Sequence, residues 1–220
     1  MPVSRQELFD VLSQLGRALG NGHRLALLEH LAQKEAPVEE LAGASGLSIA
    51  NASQHLQHLR RAGLVTARRE GRQMVYRLTD ERILRLLTLL QEVAETHLAE
   101  MERLMGRLFA DDDAGETLEP MTRVELQRAL EQGAVTLLDV RPNAEYQAGH
   151  LPGALNAPIA ELESMLSALP RDREIVAYCR GVYCAFSHDA ARLLRERGFQ
   201  VRRYQAGILE WRAAGLPLVD

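Results

Sequence analysis

The segment IVAYCRGVYCAFSHDAARLL, residues 175–194, contains both cysteines of this 220-residue chain. The apolar run at residues 175–178 predicts a short buried strand, and a helix is predicted to begin near Ala185. Cys179 and Cys184 therefore share one six-residue loop. A thiol there meets loop N–H groups and the positive end of a helix dipole, both of which favour the thiolate. Cys179 is either a reactive nucleophile or a small buried apolar residue, the usual state of a free cysteine.

The composition is that of an ordinary globular protein with enough apolar residues, 46%, for two small cores. No run of about 18 apolar residues occurs, and the first ten residues lack a signal-peptide pattern, so we expect a cytoplasmic protein without membrane contact. In a reducing compartment a close cysteine pair is more often reactive or metal-binding than a structural disulfide. The net charge of −4 does not favour nucleic acid, so any such function depends on where the basic residues lie.

The N-terminal half predicts helices followed by a hairpin. Ser4 and Glu7 form a capping box for the first helix, and Ser48 is placed to cap a helix that runs through Arg61. Residues 64–79, LVTARREGRQMVYRLT, predict two strands that turn at Glu70-Gly71. In the second strand Met74, Tyr76 and Leu78 alternate with Gln73, Val75 and Arg77.

A single long helix is predicted from about residue 80 to residue 109. Its apolar stripe is longer than one small domain can cover, which indicates a partner helix. Residues 110–119 are acidic and polar and predict a linker. We therefore place the domains at residues 1–109 and 120–220, with the linker between them.

The predicted helix over residues 48–61 has Ala52, Leu56 and Leu59 on one face. Its other side chains are of the kinds that read base edges and phosphates in a major groove. The hairpin adds basic residues against a single acidic one, Glu70. The side chains predicted to contact DNA are Ser48, Asn51, Ser53, Gln54, His55, Gln57, His58 and Arg61 of the helix and Arg68, Arg69 and Arg72 of the hairpin. The alternative is a face that is merely solvated.

The order of these elements and residues 38–78, VEELAGASGLSIANASQHLQHLRRAGLVTARREGRQMVYRL, resemble the ArsR-type winged helix-turn-helix repressors over roughly residues 4–108. The resemblance implies a homodimer on double-stranded operator DNA, with two recognition helices in successive major grooves. Some relatives bind metals through cysteines that this half lacks. His97 and Glu100 have ligand-like spacing but are too few for a site, so we expect no metal.

The C-terminal half alternates strands and helices. Thr122 and Glu125 form a second capping box, and the segments AVTLLDV, EIVAYC and QVRRY predict strands. Strands that alternate with helices indicate a parallel sheet covered on both faces. The predicted fold is thus a mainly α winged-helix domain followed by an α/β domain with a parallel sheet.

Residues 137–162, LLDVRPNAEYQAGHLPGALNAPIAEL, with residues 175–199 and 205–219 are similar to a single rhodanese domain across residues 118–220. The resemblance implies that Cys179 takes sulfur from a donor, thiosulfate or a low-molecular-weight persulfide, and passes it to a thiol acceptor. The loop that would hold the persulfide consists of Arg180, Gly181, Val182, Tyr183 and Cys184. Asp139, Arg141 and Glu145 match the upstream motif and are expected to position the loop. His150 is expected to be structural.

Two departures from related proteins bear on this loop. Phosphatases of the same fold need an arginine where this chain has Ala185, so sulfur chemistry is preferred. The later Gly-Gly pair of rhodaneses is Ala206-Gly207 here, which we interpret as a mild change. Cys184 replaces the usual small or hydroxyl residue, and it either attacks a Cys179 persulfide or only fills space.

Together these patterns predict a DNA-binding regulator, a repressor that senses reactive sulfur or redox state through its rhodanese cysteine, without a cofactor. A first alternative is a sulfurtransferase enzyme whose DNA-binding domain sets its location. A second is a sensor of trivalent arsenic that binds through the two thiols.

Overall fold

The computed structural model describes residues 3–109 and 120–219. The chain divides into two compact units between Leu87 and Thr88. The predicted linker, residues 110–119, lies outside the described residues, so the boundaries at 109 and 120 stay predictions. None of the helices in the described ranges combines the length and apolarity needed to cross a bilayer.

The first unit combines helices with an antiparallel sheet. Its elements are α1 (Arg5–Leu19), α2 (Gly22–Gln33), β1 (Ala36–Pro37), α3 (Val38–Ala44), α4 (Ile49–Arg61), β2 (Val65–Glu70), β3 (Gln73–Leu78) and the beginning of α5 (Glu81–His97). The sheet order is β1-β3-β2. The capping box of Ser4 and Glu7 and the cap at Ser48 are confirmed, because both are local hydrogen-bond patterns.

The core of this unit fixes the orientation of α4. Ala52, Leu56 and Leu59 are fully buried with leucines of α2 and α3, so the polar side of α4 is left to solvent. The hairpin departs from strict alternation of burial at Val75. This residue is buried like its neighbour Tyr76, and β1 pairs with β3 and sets Pro37 opposite Val75.

The predicted single helix over residues 80–109 is wrong. Helix α5 ends at His97, Leu98 is extended with φ −104° and ψ 98°, and α6 (Ala99–Leu108) begins after it. No proline or glycine stands at residues 97–99. The apolar stripe continues on both sides of the break, so the sequence pattern does not reveal it.

The second unit contains a parallel sheet between helices. After α6 its elements are α7 (Arg123–Glu131), β4 (Val135–Asp139), α8 (Asn143–Tyr146), β5 (Leu155–Asn156), α9 (Leu162–Met165), β6 (Glu174–Tyr178), α10 (Phe186–Glu196), β7 (Val201–Arg203) and α11 (Ile208–Ala213). The sheet order is β5-β4-β6-β7, with parallel pairing throughout. The three predicted strands are confirmed, whereas the two-residue β5 was not predicted.

The sheet places the two motifs of this unit side by side. Strands β4 and β6 are parallel neighbours, and Asp139 pairs in register with Tyr178. Carboxyl ends of parallel strands meet at one sheet edge. The residues that follow β4 therefore lie beside Cys179, which follows β6.

The α4 packing can be tested with a pair of substitutions in one helix. Leu56→Ala removes a side chain with 0% exposure and should lower the free energy of unfolding by about 2–5 kcal/mol. Ile49→Ala removes a side chain that is 53% exposed and should change it by less than about 0.5 kcal/mol. Urea unfolding followed by circular dichroism measures both. Equal effects would contradict the assigned face.

Candidate functional site

The cysteine loop connects β6 to the N-terminus of α10. Cys179 is 1% exposed and Cys184 is half-buried. Their Cα atoms are 6.2 Å apart and a disulfide joins their sulfurs, which is within the usual range for a bridge. The Cys184 N–H donates to the Gly181 carbonyl at 3.1 Å, so the chain turns back towards Cys179. The two thiols that sequence placed close together are thus within bonding distance.

A second segment, residues 206–209, packs against the first half of the loop. The N–H of Ile208 donates to the Cys179 carbonyl and the N–H of Leu209 to the Arg180 carbonyl, each at 3.1 Å. In a trans peptide the carbonyl and the next N–H point in opposite directions. The N–H groups of Arg180 and Gly181 therefore point away from this segment.

Gly207 is the point of closest approach between the two segments. A Cβ added there would lie 2.4 Å from the Gly181 nitrogen and 2.6 Å from the Cys179 carbonyl oxygen. Its φ of −148° is open to any residue, so space and not conformation requires glycine. The Ala206-Gly207 departure therefore keeps glycine at the tightly packed position.

A buried ion pair lies under the loop. Arg141 and Asp139 side chains are 0% exposed and their Nη2 and Oδ2 atoms are 2.6 Å apart. The Tyr178 hydroxyl donates to Asp139 at 2.6 Å and accepts from the Leu151 N–H at 3.1 Å. Arg141 also donates to the Gly149 carbonyl at 2.8 Å. Burial, with the Asp139 charge, raises the pKa of Tyr178 far above its usual value, so its hydroxyl stays a donor.

The first residue after Cys179 is paired outside the loop. Arg180 donates to both carboxylate oxygens of Glu145, at 2.6 and 2.9 Å, and its guanidinium lies 5.0 Å from the Phe186 ring centroid. His150 stacks on Tyr146 with ring centroids 3.7 Å apart. The structure thus brings Glu145 into contact with the loop and places Asp139 and Arg141 beside its starting strand.

The exposed side of α4 carries most of the side chains predicted to contact DNA. Ser48 caps its own helix by accepting from the Asn51 N–H at 3.2 Å. Ser53 is half-buried, as is His55, whose ring centroid is 5.6 Å from that of His23. Burial, and next the Arg24 charge, lowers the pKa of His55. The exposed members are Ser48, Asn51, Gln54, Gln57, His58 and Arg61.

The three hairpin arginines are in different situations. Arg68 is ion-paired with Glu35, and with Glu70 at 2.7 Å, so carboxylates offset its charge. Arg69 donates from Nε to the Gly71 carbonyl at 3.2 Å at the turn. Arg72 follows the turn and is exposed. The partner Glu35 was missed in the sequence because it precedes Arg68 by 33 residues.

Comparison with known proteins gives a separate domain model for each half of the chain. A helix-turn-helix domain model matches residues 19–68, and a rhodanese-like domain model matches residues 122–214. The HTH-type transcriptional regulator Rv0324 of Mycobacterium tuberculosis is 50% identical over 211 residues, which are 96% of this chain and 91% of that protein. This chain belongs to the HTH-type transcriptional regulators.

Two further proteins match one half each. A sulfurtransferase of Allochromatium vinosum is 36% identical over 94 residues, 42% of this chain and 86% of that protein. The homodimeric winged helix-turn-helix domain of a Mycobacterium bovis protein is 43% identical, with a TM-score of 0.42, over 46% of this chain and 93% of that one. The regulator joins an ArsR-type winged helix to a rhodanese domain, so both resemblances are confirmed.

Metal ligands do not converge in the described parts of this regulator. Within residues 3–109 and 120–219, no three His, Cys, Asp or Glu side chains are grouped to hold a metal ion. His97 ends α5 and Glu100 lies in α6, so the break at Leu98 separates the two residues that had ligand-like spacing.

Gly207 of the regulator can be tested against its neighbour. Gly207→Ala places a methyl group against backbone that cannot rotate away, and should lower the free energy of unfolding of the rhodanese domain by about 1–3 kcal/mol. Ala206→Gly is the control and should cost less than about 1 kcal/mol. Urea unfolding monitored by Trp211 fluorescence measures both. A neutral Gly207→Ala would contradict the assigned packing.

Proposed function

We propose that this regulator is a cytoplasmic, homodimeric repressor of double-stranded operator DNA, and that sulfur transfer to Cys179 changes its affinity for that DNA. One observation carries the proposal. The two cysteines of the chain form a bonded pair in the rhodanese loop, and the winged-helix half has none. A sulfur signal must therefore enter through the rhodanese domain.

The exposed face of α4 is suited to a major groove. Asn51, Gln54 and Gln57 offer side-chain amides, which pair with adenine edges, and Arg61 offers a guanidinium for guanine or phosphate. The hairpin would bring Arg69 and Arg72 to the sugar-phosphate backbone. Because Arg68 is paired with carboxylates, we expect it to contribute less than these two.

A second copy of the chain would cover two exposed apolar stripes. On α1 the stripe consists of Leu8, Val11 and Leu12, and on α5 it consists of Leu86, Leu89, Leu90 and Val93, all exposed. Each repeats at the three- and four-residue spacing that marks one side of a helix. A two-fold symmetric contact buries the same stripe on both subunits, which supports a homodimer.

The sulfur step needs only a nucleophile and amide donors. The Cys179 thiolate attacks the outer sulfur of a persulfide R–S–SH, the S–S bond breaks, R–S⁻ leaves, and Cys179 becomes Cys179–S–SH. The N–H groups of Arg180 and Gly181 are available on the side away from residues 206–209. Because Glu145 pairs with Arg180, this cation is not placed for a thiosulfate dianion. We therefore favour a low-molecular-weight persulfide as the donor, with a thiol as the later acceptor.

A physical route leads from the loop towards α6. Helix α10 begins two residues after Cys184 and carries His188, which stacks on Phe109 with centroids 3.6 Å apart and planes at 4°. Phe109 directly follows α6. A change in the loop that moves α10 would act on this stacked pair, which supports coupling through a contiguous contact.

The second candidate function is a sulfurtransferase whose DNA domain sets its location. The similarity of the rhodanese half to a protein named sulfurtransferase favours it. Steady turnover of a persulfide with a thiol acceptor, lost in Cys179→Ser while DNA affinity is unchanged by persulfide, would support this enzyme in place of the sensor.

The sensing proposal predicts a persulfide-dependent change in DNA affinity. Coupling between sites of 1–3 kcal/mol corresponds to about 5–150-fold, and we expect a loss of about tenfold or more after treatment with glutathione persulfide. The measurement is fluorescence anisotropy on a duplex selected from a random pool by the reduced protein. Cys179→Ser should bind DNA as the untreated wild type does and should not respond. If the DNA affinity of the wild type is unchanged by the treatment, the proposed sensing function is wrong.

The proposed DNA contacts of α4 and of the hairpin predict different effects of substitution on DNA binding. Arg72→Ala should weaken binding on all sequences and reduce the slope of log affinity against log salt by about 1. Gln54→Ala should relax sequence preference at one base pair, at a cost of about 1–3 kcal/mol on the preferred sequence, and leave the salt slope unchanged. Arg82→Ala, at an exposed residue paired with Asp80, is the control. An Arg72→Ala protein with the wild-type salt slope would contradict the wing contact.

A further inference from the structure

The rhodanese loop contains a second thiol that sulfur transfer to Cys179 does not use. We propose that Cys184 is a resolving thiol, which expels the transferred sulfur as hydrosulfide and leaves the loop as a Cys179–Cys184 disulfide. The inference rests on the proposed sulfur transfer to Cys179. On this proposal, the lasting product of the reaction with a persulfide is the Cys179–Cys184 disulfide and not the Cys179 persulfide.

The loop backbone holds the two thiols in reach of each other. Hydrogen bonds from residues 208 and 209 fix the carbonyls of Cys179 and Arg180, and Gly207 packs directly against the same peptides. The bond from the Cys184 N–H to Gly181 closes the turn. The first half of the loop is thus held by its neighbours in the conformation that carries the bridge.

Proximity favours an attack from within the loop. The Cys179 side chain is 1% exposed in the bridged loop, in which Cys184 is the thiol that reaches its Sγ atom. Cys184 is half-buried and its sulfur is already bonded to that atom. Reactions between groups held in position gain effective concentrations far above those of free thiols. Cys184 should therefore attack the inner sulfur of the Cys179 persulfide, its Sγ atom, faster than a thiol in solution does.

The step balances without a further oxidant. The Cys184 thiolate attacks Sγ of Cys179–S–SH, the bond to the outer sulfur breaks, and HS⁻ leaves with the electron pair of that bond. The two cysteines lose two electrons in total, and the sulfur delivered by R–S–SH gains them as hydrosulfide. The sum is two cysteine thiolates and R–S–SH giving one disulfide, R–S⁻ and HS⁻.

The experiment follows mass and sulfide together. The reduced full-length protein is treated without oxygen with a limited amount of glutathione persulfide, and intact mass and released sulfide are measured over time. The wild type should lose the mass of two hydrogen atoms and release one sulfide per chain converted. Cys184→Ser should gain and keep the mass of one sulfur atom, with a persulfide lifetime at least about tenfold longer, because the internal attack is lost.

The variants separate this inference from the proposed function. Cys184→Ala should behave as Cys184→Ser does, and circular dichroism establishes that both are folded. If the wild type keeps its persulfide as long as these variants and releases no sulfide, Cys184 does not resolve it and only the further inference is wrong. If no sulfur is gained on Cys179 in either variant, sulfur transfer itself is wrong.

Discussion

The buried ion pair of Asp139 and Arg141 is the interaction on which the cysteine loop depends. An Arg141 side chain with no exposure is tolerable only because a carboxylate and a backbone carbonyl surround its guanidinium, and an unpaired buried charge would cost about 3–5 kcal/mol. The Tyr178 hydroxyl joins the same carboxylate and thereby links the ends of β4 and β6. Since Tyr178 directly precedes Cys179, this network fixes where the loop begins.

The rest of the loop is set by contacts from later in the chain. The second segment uses the carbonyls of Cys179 and Arg180 as acceptors, and Gly207 leaves room for that approach. Glu145 holds the Arg180 side chain away by a bidentate pair. The loop that results presents amide N–H groups and two sulfur atoms, with Ala185 in place of the arginine that phosphatases need. These are the features on which the proposed sulfur exchange rests.

Local patterns in the sequence predicted local structure well. Both capping boxes and the Ser48 cap are found, because each depends on residues three positions apart. The strand before Cys179 and the helix after Ala185 were also predicted, since a buried apolar run and a helix start are encoded in the segment itself. These features were sufficient to locate the candidate site. Both family resemblances, which rest on the quoted motifs, are confirmed.

Several of the features that the sequence did not reveal involve partners far away in the chain. The burial of Val75 depends on β1, and the pairing of Arg68 depends on Glu35, neither of which periodicity can reveal. The importance of Gly207 is visible only once its distance to Gly181 is known. The break at Leu98 lacks a helix-breaking residue, and a stripe that continues on both sides looks the same whether the helix is bent or straight.

The connection from loop to helix gives the proposed signal a direction. In the proposed function the loop passes between dithiol, persulfide and disulfide, which would change its span between Cys179 and Cys184, while the Asp139 network fixes its start. Any change of span must then be taken up at the other end, where α10 begins. His188 lies in the first turn of that helix, so a displacement of this turn would act directly on Phe109, the ring stacked on it. Because the end of β6 is held rigidly, a sulfur reaction in the loop would displace α10 and so act on the residues that follow α6.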